Sequence, residues 1–221
     1  MKAAVAFLVI LGVGIGVAMM VLKGEQEKRT LPIYNPTDVN PDLVDASIQD
    51  KGSNHHISDF YLQNQDGNWV TKKDFDGQIL VVNYFFTTCP GICPAMNAKL
   101  MKVDEAYKSS CKVSLLSHTV WPEVDSVSVL KEYEGRYQAS TKTWHFLTGD
   151  KKHLYELARK SYLVCPDVSD PNYTHGSEAD FIHSEIVVLV DTKGRIRGRY
   201  DGTSDIQIEN LIEDIQVLME D

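Results

Sequence analysis

Cysteine is scarce in this chain, with four residues in 221, too few for a miniprotein stapled by disulfides. A long basic run is also missing. Asp and Glu total 31 against 22 Lys and Arg, a formal charge of −9. That balance argues against nucleic-acid binding, which depends on phosphate neutralisation. There is no internal repeat and no low-complexity tract, which excludes solenoids and biased disordered segments. The remaining composition, 43% hydrophobic and 24% charged, is that of an ordinary globular protein. A length of 221 residues corresponds to roughly one and a half domains.

The amino terminus accounts for part of that length. Ala3 to Leu22 is a run of 20 residues without a charge. At about 1.5 Å per residue it would cross about 30 Å, one hydrocarbon core. Gly12, Gly14 and Gly16 lie within it, and membrane helices tolerate glycine. A cleaved signal has a shorter apolar stretch and an exit of small residues, whereas Ala18-Met19-Met20-Val21-Leu22 is a poor cleavage site. The expectation is an uncleaved anchor over residues 1–23. Lys2 before the run, and Lys23, Lys28 and Arg29 after it, leave orientation undecided by the positive-inside rule. Residues 24–54 carry Pro32, Pro36 and Pro41 without sustained periodicity and read as a tether. Leu31, Ile33 and Leu43 give it the means to pack as an extended arm. The body then runs over 55–221, enough for one hydrophobic core.

Along the body, strands and helices alternate. Phe60–Val70 reads as a hairpin around Asp66-Gly67. Ile79–Phe86 is almost continuously apolar, as in a central strand covered on both faces. Pro94–Tyr107 has helical spacing at Met96, Leu100, Val103 and Tyr107. There follow a strand at Val113–Val120, a helix at Asp125–Tyr137, a strand at Trp144–Leu147 and a helix at Asp150–Tyr162 with Asp150 as N-cap. A second hairpin, Glu185–Asp191 with Arg195–Tyr200, and a final helix, Asp205–Met219, complete an α/β layered pattern.

The chemistry concentrates in Thr87-Thr88-Cys89-Pro90-Gly91-Ile92-Cys93-Pro94, between the central strand and the next helix. If that helix starts near Cys89, Cys89 and Cys93 share one face as i and i+4. The helix N-terminus offers unpaired N–H groups and a positive dipole end, which lower a thiol pKa and favour thiolate. Three uses fit: a redox pair with three intervening residues instead of the usual two, a structural disulfide, and a soft-metal site. The strand-to-helix position favours the two functional uses.

The segment resembles the T-x-C-P-x-x-C-P site of the SCO/SenC family, membrane-anchored copper-binding proteins with a thioredoxin-like fold. The resemblance covers roughly His55 to Asp221. It implies a thioredoxin-like α/β domain behind an N-terminal transmembrane helix, with copper bound by Cys89, Cys93 and a downstream histidine, here His183 in Phe181-Ile182-His183-Ser184-Glu185. Neutral imidazole with two thiolates is a sensible donor set for copper. Two departures stand out: Ile182 where the family often has Asp, and Trp121-Pro122-Glu123 where many members have Asp-Pro-Glu, so no acidic role passes to position 121.

The resemblance further implies copper delivery to the dinuclear site of cytochrome c oxidase. The implied partners are the oxidase copper-site subunit and, beyond it, other copper carriers or thiol reductants. The body would lie outside the cytoplasm on a single-pass inner-membrane anchor, and the lack of a transit-peptide pattern favours a bacterium. The alternative is a thiol-disulfide reductase using Cys89 and Cys93 as attacking and resolving thiols. A sensor would share the same residues. A peroxide-reducing enzyme fits less well, because Phe86, not Thr, stands three residues before Cys89.

The other candidates have plainer readings. His55 and His56 read as a surface pair, His118 as a strand end facing the site at most, His145 as a strand residue and His153 as a helix-surface residue. His175 falls in the loop 166–180. Cys111 and Cys165 could pair or stand apart as buried thiols. Trp121 and Trp144 read as packing.

Overall fold

Seven consecutive buried residues make β3 (Ile79–Phe85) the axis of the fold in the computed structural model. The structure describes residues 29–140, 142–164 and 185–221. The expected anchor at Ala3–Leu22, together with His175, His183 and Cys165, lies outside them. Among the described residues no helix is long and apolar enough to cross a membrane. Contacts divide the chain into residues 1–30, of which only Arg29 and Thr30 are described, and a unit from Leu31 to Asp221.

The seven-stranded sheet has the order β2-β1-β5-β4-β3-β6-β7. β3 runs parallel to β4 (Val113–Thr119), which runs parallel to β5 (Trp144–Thr148). The hairpin of β1 (Tyr61–Asn64) and β2 (Trp69–Thr71) adds antiparallel beyond β5. On the other side β6 (Ile186–Val190) and β7 (Ile196–Asp201) add antiparallel to β3. Both hairpins turn through a glycine in the left-handed region, Gly67 and Gly194, each at φ 79°.

Alternation along β3 sends side chains to two covering layers. Phe85 stacks on Tyr133 of α2 (Val127–Tyr137), and Asn83 reaches Met96 of α1 (Ile92–Tyr107). Tyr84 points to the opposite face, where its hydroxyl donates to Leu154 O of α3 (Lys151–Glu156). That helix starts as expected, with Asp150 accepting from His153 N, and runs on into a π turn at Leu157–Ser161. The last helix, α4 (Asp205–Met219), packs against α1 and β7.

Residues 31–54 lie on the unit as an arm. Two 3-10 turns, Pro36–Asp38 and Pro41–Leu43, fold it. Val44 is fully buried, Leu31 and Val39 nearly so, and Leu43 is packed against the core, while Ile33 remains exposed. Arg197 fastens the arm by donating to Leu31 O at 2.8 Å and Pro32 O at 3.0 Å, with its charge met by Asp191. The compact unit thus begins 24 residues before the boundary read at His55, because single apolar side chains seat the arm without any periodic pattern.

Candidate metal and thiol site

β3 hands the chain to residues 86–91, which turn it into α1. The helix begins at Ile92 with Gly91 as N-cap, not near Cys89. Cys89 therefore stands in the loop and Cys93 in the first helical turn. The two cysteines still meet, because N–H groups of a first turn lack an intrahelical acceptor. Gly91 has no side chain to offer, and Cys93 N–H donates to Cys89 Sγ at 3.4 Å. Cys89 N in turn donates to Phe86 O at 3.2 Å, closing the turn. Pro94 occupies the first turn, where its missing N–H leaves nothing unpaired.

Both thiols are free and buried. Burial pushes the Cys93 thiol up to about 12, helped by its hydrogen bond with Cys89 and by the negative charge of Asp125. The expectation of a lowered pKa at the helix N-terminus does not hold for Cys93, because loss of water outweighs the dipole. A metal ion at this pair must displace the proton. Two thiols brought together out of water form a donor set suited to a soft monovalent cation, and equally to reversible disulfide chemistry.

The third expected ligand, His183, lies outside the described residues, whereas the strand that follows it in sequence is described. The antiparallel register Val82↔Val188 puts Ile186 and Glu185 at the end of β3 from which the cysteine loop leaves. Glu185 O is held there by Gly202 N at 2.7 Å. His183 precedes Glu185 by two residues.

One acidic residue near the cysteines escaped the sequence reading. Residues 121–125 fold back on themselves, with Val124 N and Asp125 N both donating to Trp121 O, at 3.0 and 2.9 Å. The turn drops the Asp125 carboxylate, fully buried, under the cysteine loop. Thr87 donates to it through its backbone N–H at 3.3 Å and through its hydroxyl, and the Thr119 hydroxyl also donates. Burial raises the Asp125 pKa against those hydrogen bonds. In sequence Asp125 reads as the opening of a helix, whereas α2 starts at Val127 behind Ser126. The only local signal was a threonine two residues before Cys89. Trp121 packs its ring against Phe86, as read.

Among the other described histidines, His55 and His118 are buried in the fold. His55 is not a surface residue: it is buried, with Nε2 2.8 Å from Ser161 O, while His56 is exposed. His118 is wholly buried between Tyr84, Phe60 and Tyr162. His145 meets the ring of Phe75 edge-on. His153 is half-buried, and its Nε2 is shut away from solvent without a hydrogen-bond partner among the described residues. Cys111 is an exposed free thiol. Among the described residues no cluster of three or more His, Cys, Asp or Glu is placed to hold a metal.

The model of the SCO1/SenC family matches residues 48–220. A SCO1 protein homolog of Bacillus subtilis is 30% identical over 165 residues, 74% of this chain and 82% of that protein. BsSco, a member of the Sco family of cytochrome c oxidase assembly proteins for which a disulfide switch is described, superimposes with a TM-score of 0.62 at 28% identity, over 76% of this chain and 95% of that one. Yeast Sco1 with copper bound gives a TM-score of 0.54 at 24% identity, over 74% of this chain and 90% of that one, a likeness of fold. With its mixed α/β, thioredoxin-like sheet and two cysteines at the β3–α1 turn, the chain belongs to the SCO1/SenC family.

Proposed function

We propose that this protein binds copper through Cys89, Cys93 and His183 and delivers it to the dinuclear copper site of cytochrome c oxidase during assembly. The observation that carries the reading is the meeting of two free, buried thiols across the start of α1, with Cys93 N–H directed at Cys89 Sγ. The position of Glu185 at the same end of the sheet supports His183 as third donor. Yeast Sco1, of the same fold, has been crystallised with copper.

Delivery would proceed by ligand exchange. Each thiol would lose a proton as its sulfur takes the ion, and would regain one as a partner thiol gives up its own proton and replaces it. Residues 1–23 would anchor the protein in the inner membrane with the body on the outer side, holding the carrier near its membrane client at high effective concentration. The oxidase copper-site subunit is the proposed partner.

Cu(I) titration of the reduced full chain in detergent against a competing chelator tests this. Tight one-to-one binding that weakens at least tenfold in His183→Ala and in Cys89→Ser is expected. Binding indifferent to His183 would remove the three-ligand site.

The same cysteines support a second reading, a thiol-disulfide reductase. One thiolate attacks a partner disulfide, a mixed disulfide forms, and the other cysteine resolves it, leaving the partner reduced and Cys89–Cys93 oxidised. The disulfide switch described for BsSco favours keeping this reading. It predicts that thiol exchange survives His183→Ala.

A further inference from the structure

We infer that Asp125 is a positioning residue of the cysteine loop: its buried carboxylate fastens Thr87, two residues before Cys89, and so fixes the turn that presents Cys89 Sγ to Cys93. The inference rests on reading Cys89 and Cys93 as the functional pair.

An aspartate just ahead of a helix ordinarily caps it. Asp125 does not. The residue at the N-cap of α2 is Ser126, and the carboxylate oxygens of Asp125 accept from Thr87 N, Thr87 Oγ1 and Thr119 Oγ1 instead. Its acceptors are thus committed to the two strand ends that flank the site. Thr119 is the last residue of β4 and also accepts from Trp121 N at 2.9 Å. Val120 N donates to Phe85 O at 2.9 Å, so the ends of β3 and β4 and the returning loop form one network with Asp125 at its centre. Thr87 leaves that network directly into Thr88 and Cys89. The next contacts along the chain are Cys89 N to Phe86 O and Cys93 N to Cys89 Sγ.

A carboxylate is the group this position requires. It is acceptor-only on both oxygens, and three donors converge on it. An asparagine of the same size turns one oxygen into a donor that faces hydroxyl and N–H groups. The NH2 can then be met only by a hydroxyl that reverses its bond, and the charge that draws the Thr87 N–H is lost, so the hold on the Thr87 backbone weakens. Of the two carboxylates in the β4–α2 connection, Glu123 pairs with Lys151 at 3.3 Å, while Asp125 holds Thr87.

The test is a double-mutant cycle on the reduced full chain in detergent, using Asp125→Asn, Thr87→Val and the pair, with Thr87→Ser as the conservative control. Cu(I) affinity and the Cys89–Cys93 dithiol–disulfide midpoint potential are both read, together with the melting temperature. Expected are a loss of affinity of about tenfold in each single variant, a loss in the double variant no larger than in the worse single one, and a displaced midpoint potential. Thr87→Ser should behave as wild type. Wild-type affinity and potential in Asp125→Asn and Thr87→Val would overturn the inference even if both melt earlier, as would fully additive losses. If Asp125→Asn does not fold, Thr87→Val against Thr87→Ser reads the same contact from the other side. If Cys89→Ser binds copper as well as wild type, the copper reading fails, and the midpoint potential alone decides the role of Asp125.

Discussion

Cys93 N–H and Cys89 Sγ face each other at 3.4 Å across the start of α1, so the thiol of one ligand candidate caps the helix that carries the other. Metal binding or disulfide formation at this pair would therefore act at the point where the helix begins.

The first prediction follows from the burial of Cys93. Its thiol pKa is pushed up to about 12, so it carries its proton at neutral pH. Under the proposed function, copper held by Cys93 would have to expel that proton. Apparent Cu(I) affinity then rises with pH, by up to about tenfold per unit for each proton released. At least one proton per copper should appear in a weakly buffered titration at pH 7. Affinity that stays level from pH 6 to 9, after correction for the chelator, would contradict this.

His118 gives a prediction about stability. It is wholly buried against Tyr84 at 5.2 Å and Tyr162 at 5.3 Å between ring centroids. Burial lowers its pKa from 6.5 to about 3. The unfolded chain takes up the proton first as pH falls. The contribution is therefore fully present above pH 6.5 and is lost between there and about 3, with a limiting slope of about 1.4 kcal/mol per pH unit. His118→Phe should flatten urea-unfolding free energies measured from pH 7 to 4. His55 and His145, also lowered by burial, would retain part of the slope.

Gly202 makes a steric prediction. A Cβ there would stand 2.7 Å from both Met96 Cγ and Val187 Cγ2. Met96 can shift, but Val187 is held in β6. Gly202→Ala should cost about 1–3 kcal/mol in chemical denaturation, with the melting temperature falling in step. An unchanged midpoint would show that α1 and β6 have more slack than their packing indicates.

The arm supplies the fourth. A version of the chain beginning at His55 loses Leu31, Val39 and Val44, and the carbonyls that Arg197 holds. Its melting temperature should fall by on the order of 5–10 °C relative to one beginning at Thr30. Equal melting temperatures would mean that the arm only rests on the surface.

Much of this architecture could be read from residue order. The run Ile79–Phe86, apolar except for Asn83, became the central strand because covering on both faces favours apolar side chains at nearly every position, and Asn83 is accommodated by a hydrogen bond from Ser117. Asp66-Gly67, Gly194 and Asp150 marked turns and a cap through local backbone chemistry. The arm was less legible because a segment seated by isolated contacts has no period. Asp125 was misplaced because its partners lie 38 and 6 residues away, and only the folded loop brings them together. His55 looked exposed for the same reason: its acceptor, Ser161 O, is 106 residues distant.

The pairing of Tyr34 N with Ile196 O at 2.9 Å has a consequence beyond holding the arm. β7 is the outermost strand on its side of the sheet, and a bare outer strand is a template for a second copy of the same chain. Tyr34 occupies that template. Chains deprived of residues 31–54 are expected to associate through β7 as well as to melt earlier, and in a crowded compartment self-association would remove them before simple unfolding did.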